Sequence, residues 1–144
     1  MYFQNIELMK PFISTNKSLL DIPMIHSYLS ERSYWAKGRS LEIVQKSIEN
    51  SLCFGLYDET GRQLGFARVV TDYAVFGWLM DVFMLEEHRG NGHGKKLMDA
   101  IVNHPDLKNL RRMGLGTDDA HELYKQYGFT NLSKPENMME LLRK

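Results

Sequence analysis

The stretch DVFMLEEHRGNGHGKKLMDAI, residues 81–101, passes from an apolar run through a glycine cluster into a helical pattern. Gly90, Gly92 and Gly94 alternate with Asn91 and His93; Arg89 precedes them, and Lys95 and Lys96 follow. A loop between a buried strand and a helix start suits an anion, because free N–H groups and the helix dipole point outward there. Glycine removes the side chains that would hold a phosphate away. Two phosphate loops fail on spacing. A Walker A loop needs four residues between its glycines and a hydroxyl after the lysine, whereas Gly90 and Gly94 enclose three residues and Lys96 follows Lys95. A dinucleotide loop needs G-x-G-x-x-G near the first strand of a βαβ unit, and the spacing here is G-x-G-x-G.

Working outward, VFGWLMDVFML (75–85) carries Asp81 as its only charge and reads as a central strand covered on both faces. Upstream, LCFGLYD (52–58) and QLGFARVV (63–70) form a hairpin about ETGR (59–62), and TDYA (71–74) is a second break. Two helices come earlier. Asp21-Ile22-Pro23 is a start signal for the first, and Ser40 caps the second, whose face holds Leu41, Val44 and Ile48. Downstream, Leu97, Met98, Ile101 and Val102 share one helix face, and Pro105 ends that helix. RRMGLGT (111–117) reads as a strand and DDAHELYKQYGF (118–129) as a helix. Asp119 and Glu122 have capping-box spacing, and Gly128 stands at the C′ position. NMMELLRK (137–144) reads as a last strand, with a helix as the alternative. The order predicts one α/β layered domain over residues 1–144, with a mixed sheet.

The composition narrows the function classes. The chain has 144 residues, 43% apolar, enough to bury a core. Formal net charge is zero, which argues against nucleic acid as a partner. Cys53 is the only cysteine, so no internal disulfide forms and a reducing compartment fits. No apolar run approaches the roughly 20 residues of a membrane span, and MYFQNIELMK lacks the basic start and apolar stretch of a signal peptide. A cytoplasmic protein without membrane contact is the expectation.

Arg89, Gly92 and Gly94 fit R-x-x-G-x-G, which resembles the acetyl-CoA-binding motif of the GNAT superfamily of N-acetyltransferases. DDAHELYKQYGF resembles the family's later helix, with alanine, then Leu-Tyr, then Gly-Phe. The resemblance spans nearly the whole chain. It implies a GNAT-like layered fold: a mixed, mostly antiparallel sheet flanked by helices, with a splayed central strand pair. It implies acetyl-CoA as cosubstrate, with no metal, and direct transfer of acetyl to a primary amine on a small molecule or protein. The same fold without turnover, a coenzyme A-binding or sensing module, is the alternative. Dimers are common in the family; nothing in the sequence itself shows one.

Residue by residue, the resemblance places the pyrophosphate on Arg89, Gly90, Asn91, Gly92, His93, Gly94 and Lys95. It places the pantetheine arm on backbone groups of Phe83 and Met84. Thr117 stands where relatives often carry asparagine against that arm. Tyr124 matches the family's motif tyrosine, which protonates the departing thiolate. Its alternative role is packing. Asp81 is either the general base or a partner for an arginine or an amide; Asp118, Asp119 and His121 are further candidates. The acceptor site falls to Tyr28, Tyr34, Trp35, Arg39 and Trp78. SYWAKGR (33–39) then supplies an aromatic pocket with Arg39 toward an acidic group, or anchors its loop to the core.

Overall fold

The computed structural model describes residues 10–143, so most of the opening segment lies outside the described residues, as does Lys144. A short strand β1 (Phe12–Ser14) comes first, too short to carry a periodicity of its own. Helix α1 (Ile22–Ser27) starts where expected, with Asp21 Oδ1 accepting the Met24 N–H at 3.1 Å. It widens into a π-turn over Tyr28–Arg32, closed by the Ser33 N–H donating to Tyr28 O at 3.0 Å. Helix α2 (Leu41–Glu49) is capped by Ser40 Oγ, which accepts the Ile43 N–H.

Strands β2 (Leu52–Tyr57), β3 (Gln63–Thr71) and β4 (Phe76–Met84) follow. Then come helix α3 (His93–Val102), strand β5 (Arg112–Leu115) and helix α4 (His121–Lys125). Spatial order matches chain order, β1 to β5. The first three pairings are antiparallel, and β4 with β5 is parallel. This is the mixed, mostly antiparallel sheet expected.

Each sheet face carries a helical layer. Ile25, Leu29, Val44 and Ile48 pack on one face against Cys53, Phe66 and Phe83. Leu97, Met98 and Ile101 of α3 pack on the other against Phe54, Val69 and Leu79. Each buried side chain of this size stabilises by about 1.5–3 kcal/mol. Cys53 lies inside the first layer, where burial pushes its thiol up to about 11. It is therefore an inert core group. No helix among the described residues is long and apolar enough to cross a membrane.

Three expectations change. Burial along β4 alternates instead of covering both faces, because its half-buried positions line a cleft. The helix expected over 118–129 is one short turn-and-a-half, and its capping box does not form. Ala120 is the N-cap, and Thr117 Oγ1 accepts the Ala120 N–H at 3.1 Å. Asp119 and Glu122 match the cap by spacing, but the chain enters the helix one residue later. Its end is as read: Gly128 takes φ +94°, and the Phe129 N–H returns to Tyr124 O. Finally, NMMELLRK is not a strand: residues 138–143 have no regular structure and are exposed. Strand propensity requires a paired edge to act on, and this segment pairs with none among the described residues.

Candidate active site

The site begins with a defect in β4. Register runs Gly65 to Met84 and Phe66 to Phe83, then jumps to Arg68 with Met80, so Asp81 and Val82 together face Ala67. Asp81 takes φ +56°, a left-handed conformation that aspartate tolerates better than most residues. The bulge bends β4 just where its other neighbour stops. Pairing with β5 covers only Phe76 to Leu79, and β4 continues to Met84. The parted strands open a cleft of about 970 Å³.

The open flank of β4 offers backbone groups. The Leu85 N–H donates to Leu64 O on β3 at 2.9 Å. By strand alternation Phe83 faces β3 likewise, while Val82 and Met84 turn theirs to the cleft. Met84 O accepts from Arg89 Nε at 3.2 Å. Of the two residues singled out from sequence, Met84 thus presents backbone to the cleft. Phe83 contributes its ring, buried and stacked on Tyr28 at 3.9 Å and 8°. Val82 was missed, though counting alternate positions back from Met84 would have found it.

The glycine loop caps the cleft's end. After a tight turn over Glu86–His88, Gly90 and Gly92 take φ +88° and +78°. Gly92 is the N-cap of α3 and supplies no side-chain cap. The first bond into the helix is Lys96 N–H to Gly92 O at 3.1 Å, leaving the amides of His93, Gly94 and Lys95 without backbone acceptors. A Cβ on Gly90, Gly92 or Gly94 would meet nothing within 4 Å, so the space over the amides is open. Arg89 turns inward, donating from Nη2 to Tyr28 Oη at 2.9 Å. Asn91 is exposed and His93 half-buried; Lys95 pairs with Asp99 at 3.5 Å.

Tyr124 reaches the cleft from α4. Its ring packs edge-on to Phe129 at 5.9 Å, so packing and site coexist. Burial first, then Tyr34 and Asp119, push its phenol above the usual 10. Among the described residues the hydroxyl makes no hydrogen bond to protein. Tyr127 packs in the same cluster. Thr117 lines the cleft with a hydroxyl that accepts from Ala120 and keeps its own proton to donate.

The opposite wall is a side-chain network centred on Asp81, whose side chain is 1% exposed. Its Oδ2 accepts from Arg68 Nε at 2.6 Å and Arg39 Nη1 at 2.8 Å. Its Oδ1 accepts from Trp35 Nε1 at 2.9 Å. Arg68 also donates to Ser51 Oγ at 3.2 Å. Sequence reading missed Arg68; a cation inside the apolar run QLGFARVV, facing the strand that holds Asp81, was the available signal. Tyr34 sits edge-on to Trp35 at 5.1 Å, and its hydroxyl accepts the Asp118 N–H at 3.2 Å across the cleft mouth. Trp78 lies over Gly114, where a Cβ would come within 2.5 Å of the ring. Tyr28, buried, joins the two walls through Phe83 and Arg89.

A mixed sheet whose one parallel pair parts beside an amide-lined helix start defines a class of α/β ligand-binding domains. Comparison with known proteins fixes which. Residues 49–131 match the family model described as an acetyltransferase (GNAT) domain. A Gibberella zeae protein named as an acetyltransferase is 30% identical over 148 residues, covering 88% of this chain and 82% of that protein. A Xanthomonas campestris crystal structure described as a GNAT-family acetyltransferase is 53% identical, with TM-score 0.90 over 92% of this chain and 93% of that one. A Clostridium acetobutylicum acetyltransferase solved with acetyl-CoA shares the fold at 15% identity and TM-score 0.65, covering 92% of this chain and 95% of that one. The chain belongs to the GNAT family of acetyltransferases.

Proposed function

We propose that the chain transfers the acetyl group of acetyl-CoA directly to a primary amine. The observation that carries this reading is the parting of β4 from β5. It leaves the N–H groups of Val82 and Met84 open beside the free amides of α3, with Tyr124 lining the same cleft. An amide-bearing arm can pair along β4 as a strand would, and a pyrophosphate fits over Gly92, His93, Gly94 and Lys95. The donor supplies an activated thioester. A β4 N–H aimed into the cleft stabilises the oxygen on which charge develops as nitrogen attacks. Tyr124 carries its proton at neutral pH as any tyrosine does, burial raises the phenol further, and the hydroxyl gives that proton to the departing sulfur. Asp81, the base candidate, already accepts three donors on its two oxygens, so we assign it to hold Trp35 and Arg39 in place. Water in the cleft then takes the proton from the amine, whose free form titrates near 10.

The test is thiol release from acetyl-CoA over a panel of amines, beside Tyr124→Phe. Turnover on at least one amine, lowered in the variant while coenzyme A binding stays, supports the reading. Tight coenzyme A binding with no turnover on any amine would return the non-catalytic module.

A further inference from the structure

The charges around Asp81 are unequal. Arg39 and Arg68 both bond to Oδ2 of the one carboxylate, and among the described residues neither has a second acidic partner. One positive charge is therefore unmatched in a wall of low exposure, where such a charge is costly until an anion meets it. Arg68 is the deeper guanidinium, 8% exposed, and it also donates to Ser51 Oγ. Arg39 is 19% exposed and lines the cleft. Its Nη1 is occupied by Asp81; among the described residues its Nε and Nη2 have no acceptor. Those two N–H groups form one edge of the guanidinium, and such an edge takes both oxygens of a carboxylate at once. The group is held at both ends before any ligand arrives. Asp81 fixes Nη1, while the Arg39 backbone donates to Ala36 O and its carbonyl meets the His26 ring. The other cations of the cleft already have partners: Arg32 has Glu86 and Glu87, Arg89 has Tyr28 and Met84, and Lys95 has Asp99.

We propose that the free edge of Arg39 binds a carboxylate on the acceptor, so that the acceptor is a molecule carrying both an amine and a carboxylate. This assignment rests on acetyl transfer to an amine, as proposed above, and names the substrate class for it. The unmatched charge is single and the edge offers two donors, which suits a carboxylate monoanion better than a phosphate dianion. Asp118 and Asp119 line the same cleft from the β5 side. Charges of opposite sign on different walls orient a zwitterion, with its ammonium end toward β5 and its carboxylate on Arg39.

The experiment compares kcat/KM for β-alanine, 4-aminobutanoate and lysine, each beside its carboxamide, with phosphoethanolamine as the phosphate arm. Wild type is set against Arg39→Gln and Arg39→Lys, and coenzyme A affinity on the same samples reports that the fold survives. A second readout needs no turnover. The Trp35 indole N–H donates to Asp81 beside Arg39, so its NMR resonance is followed as butanoate or butanamide is added to the coenzyme A-loaded protein. Wild type should favour each carboxylate that turns over by roughly hundredfold over its amide. That ratio should fall to about one in Arg39→Gln and lie between in Arg39→Lys, which keeps the charge without the edge. The Trp35 resonance should move with butanoate, stay with butanamide, and respond to neither in Arg39→Gln. Equal use of amides and carboxylates, a ratio that survives Arg39→Gln, a preference for phosphoethanolamine, or a Trp35 resonance indifferent to butanoate overturns the proposal. Butanoate binding at Trp35 without turnover of any amine supports the carboxylate site while overturning acetyl transfer to amines. Turnover of amides and carboxylates alike does the reverse.

Discussion

The two walls of the cleft are built on opposite plans. The wall proposed for the donor is mostly backbone: the open flank of β4, the glycines, and the amides at the start of α3. The wall proposed for the acceptor is mostly side chain: Trp35, Arg39 and Arg68 converge on Asp81 from 46, 42 and 13 residues away in sequence. A backbone site tolerates little change in residue type, because conformation is what it supplies. A side-chain site can be re-specified by substitution while its scaffold stays. The family match, residues 49–131, includes the donor wall and stops short of Tyr34, Trp35 and Arg39.

Replacing Asp81 by alanine is the harshest way to press on this difference. It leaves Arg68 buried without its partner and should cost about 3–5 kcal/mol of stability by chemical denaturation. Loss of only a few tenths would mean the network is not what holds the acceptor wall. Tyr124→Phe comes next, with kcat falling roughly hundredfold and acetyl-CoA affinity little changed. The sign of its pH dependence follows from the raised phenol: the protonated acid persists above the usual tyrosine range. Wild-type kcat should therefore lose its acid-dependent part only above pH 10, and the variant should lack that limb. A basic limb below 10 would assign the proton to another group.

Gly92→Val forces a β-branched residue into φ +78°. It should weaken coenzyme A binding roughly tenfold, at about 1–3 kcal/mol of backbone strain, with amine preference unaltered. If calorimetry finds donor affinity unchanged, the loop does not hold the pyrophosphate. The smallest effect is Ser40→Ala, which removes the α2 cap behind Arg39 and should cost about 1 kcal/mol. Any accompanying change should appear in acceptor KM and not in donor KM; the reverse would couple the walls more tightly than their contacts suggest.

Legibility followed the same division. The glycine loop was readable from its own spacing because a loop is local, whereas Tyr124 and Thr117 were reached only through the resemblance to the family, and the structure has both lining the cleft. Asp81 was readable only as an anomaly in an apolar run. Which of its two roles it plays depended on Arg39 and Arg68, and on a bulge that no periodicity announces. Strand β1 was missed for a related reason: three residues have no period, and the strand they pair with lies some forty residues further along the chain. The capping box over Asp119 and Glu122 was a local signal overruled by where Thr117 and Ala120 fall at the end of β5.

By itself the sequence determined the order of elements from α1 to α4, the layered α/β class, and the place of a glycine loop at a helix start. These rest on periodicities and glycine conformations that each segment carries alone. Only the tertiary structure decided that β4 and β5 part, that the Val82 and Met84 amides face the gap, and that Asp81 gathers three donors. Those facts depend on which segments meet, and the free energy of meeting is a property of packed surfaces, not of any one stretch of chain.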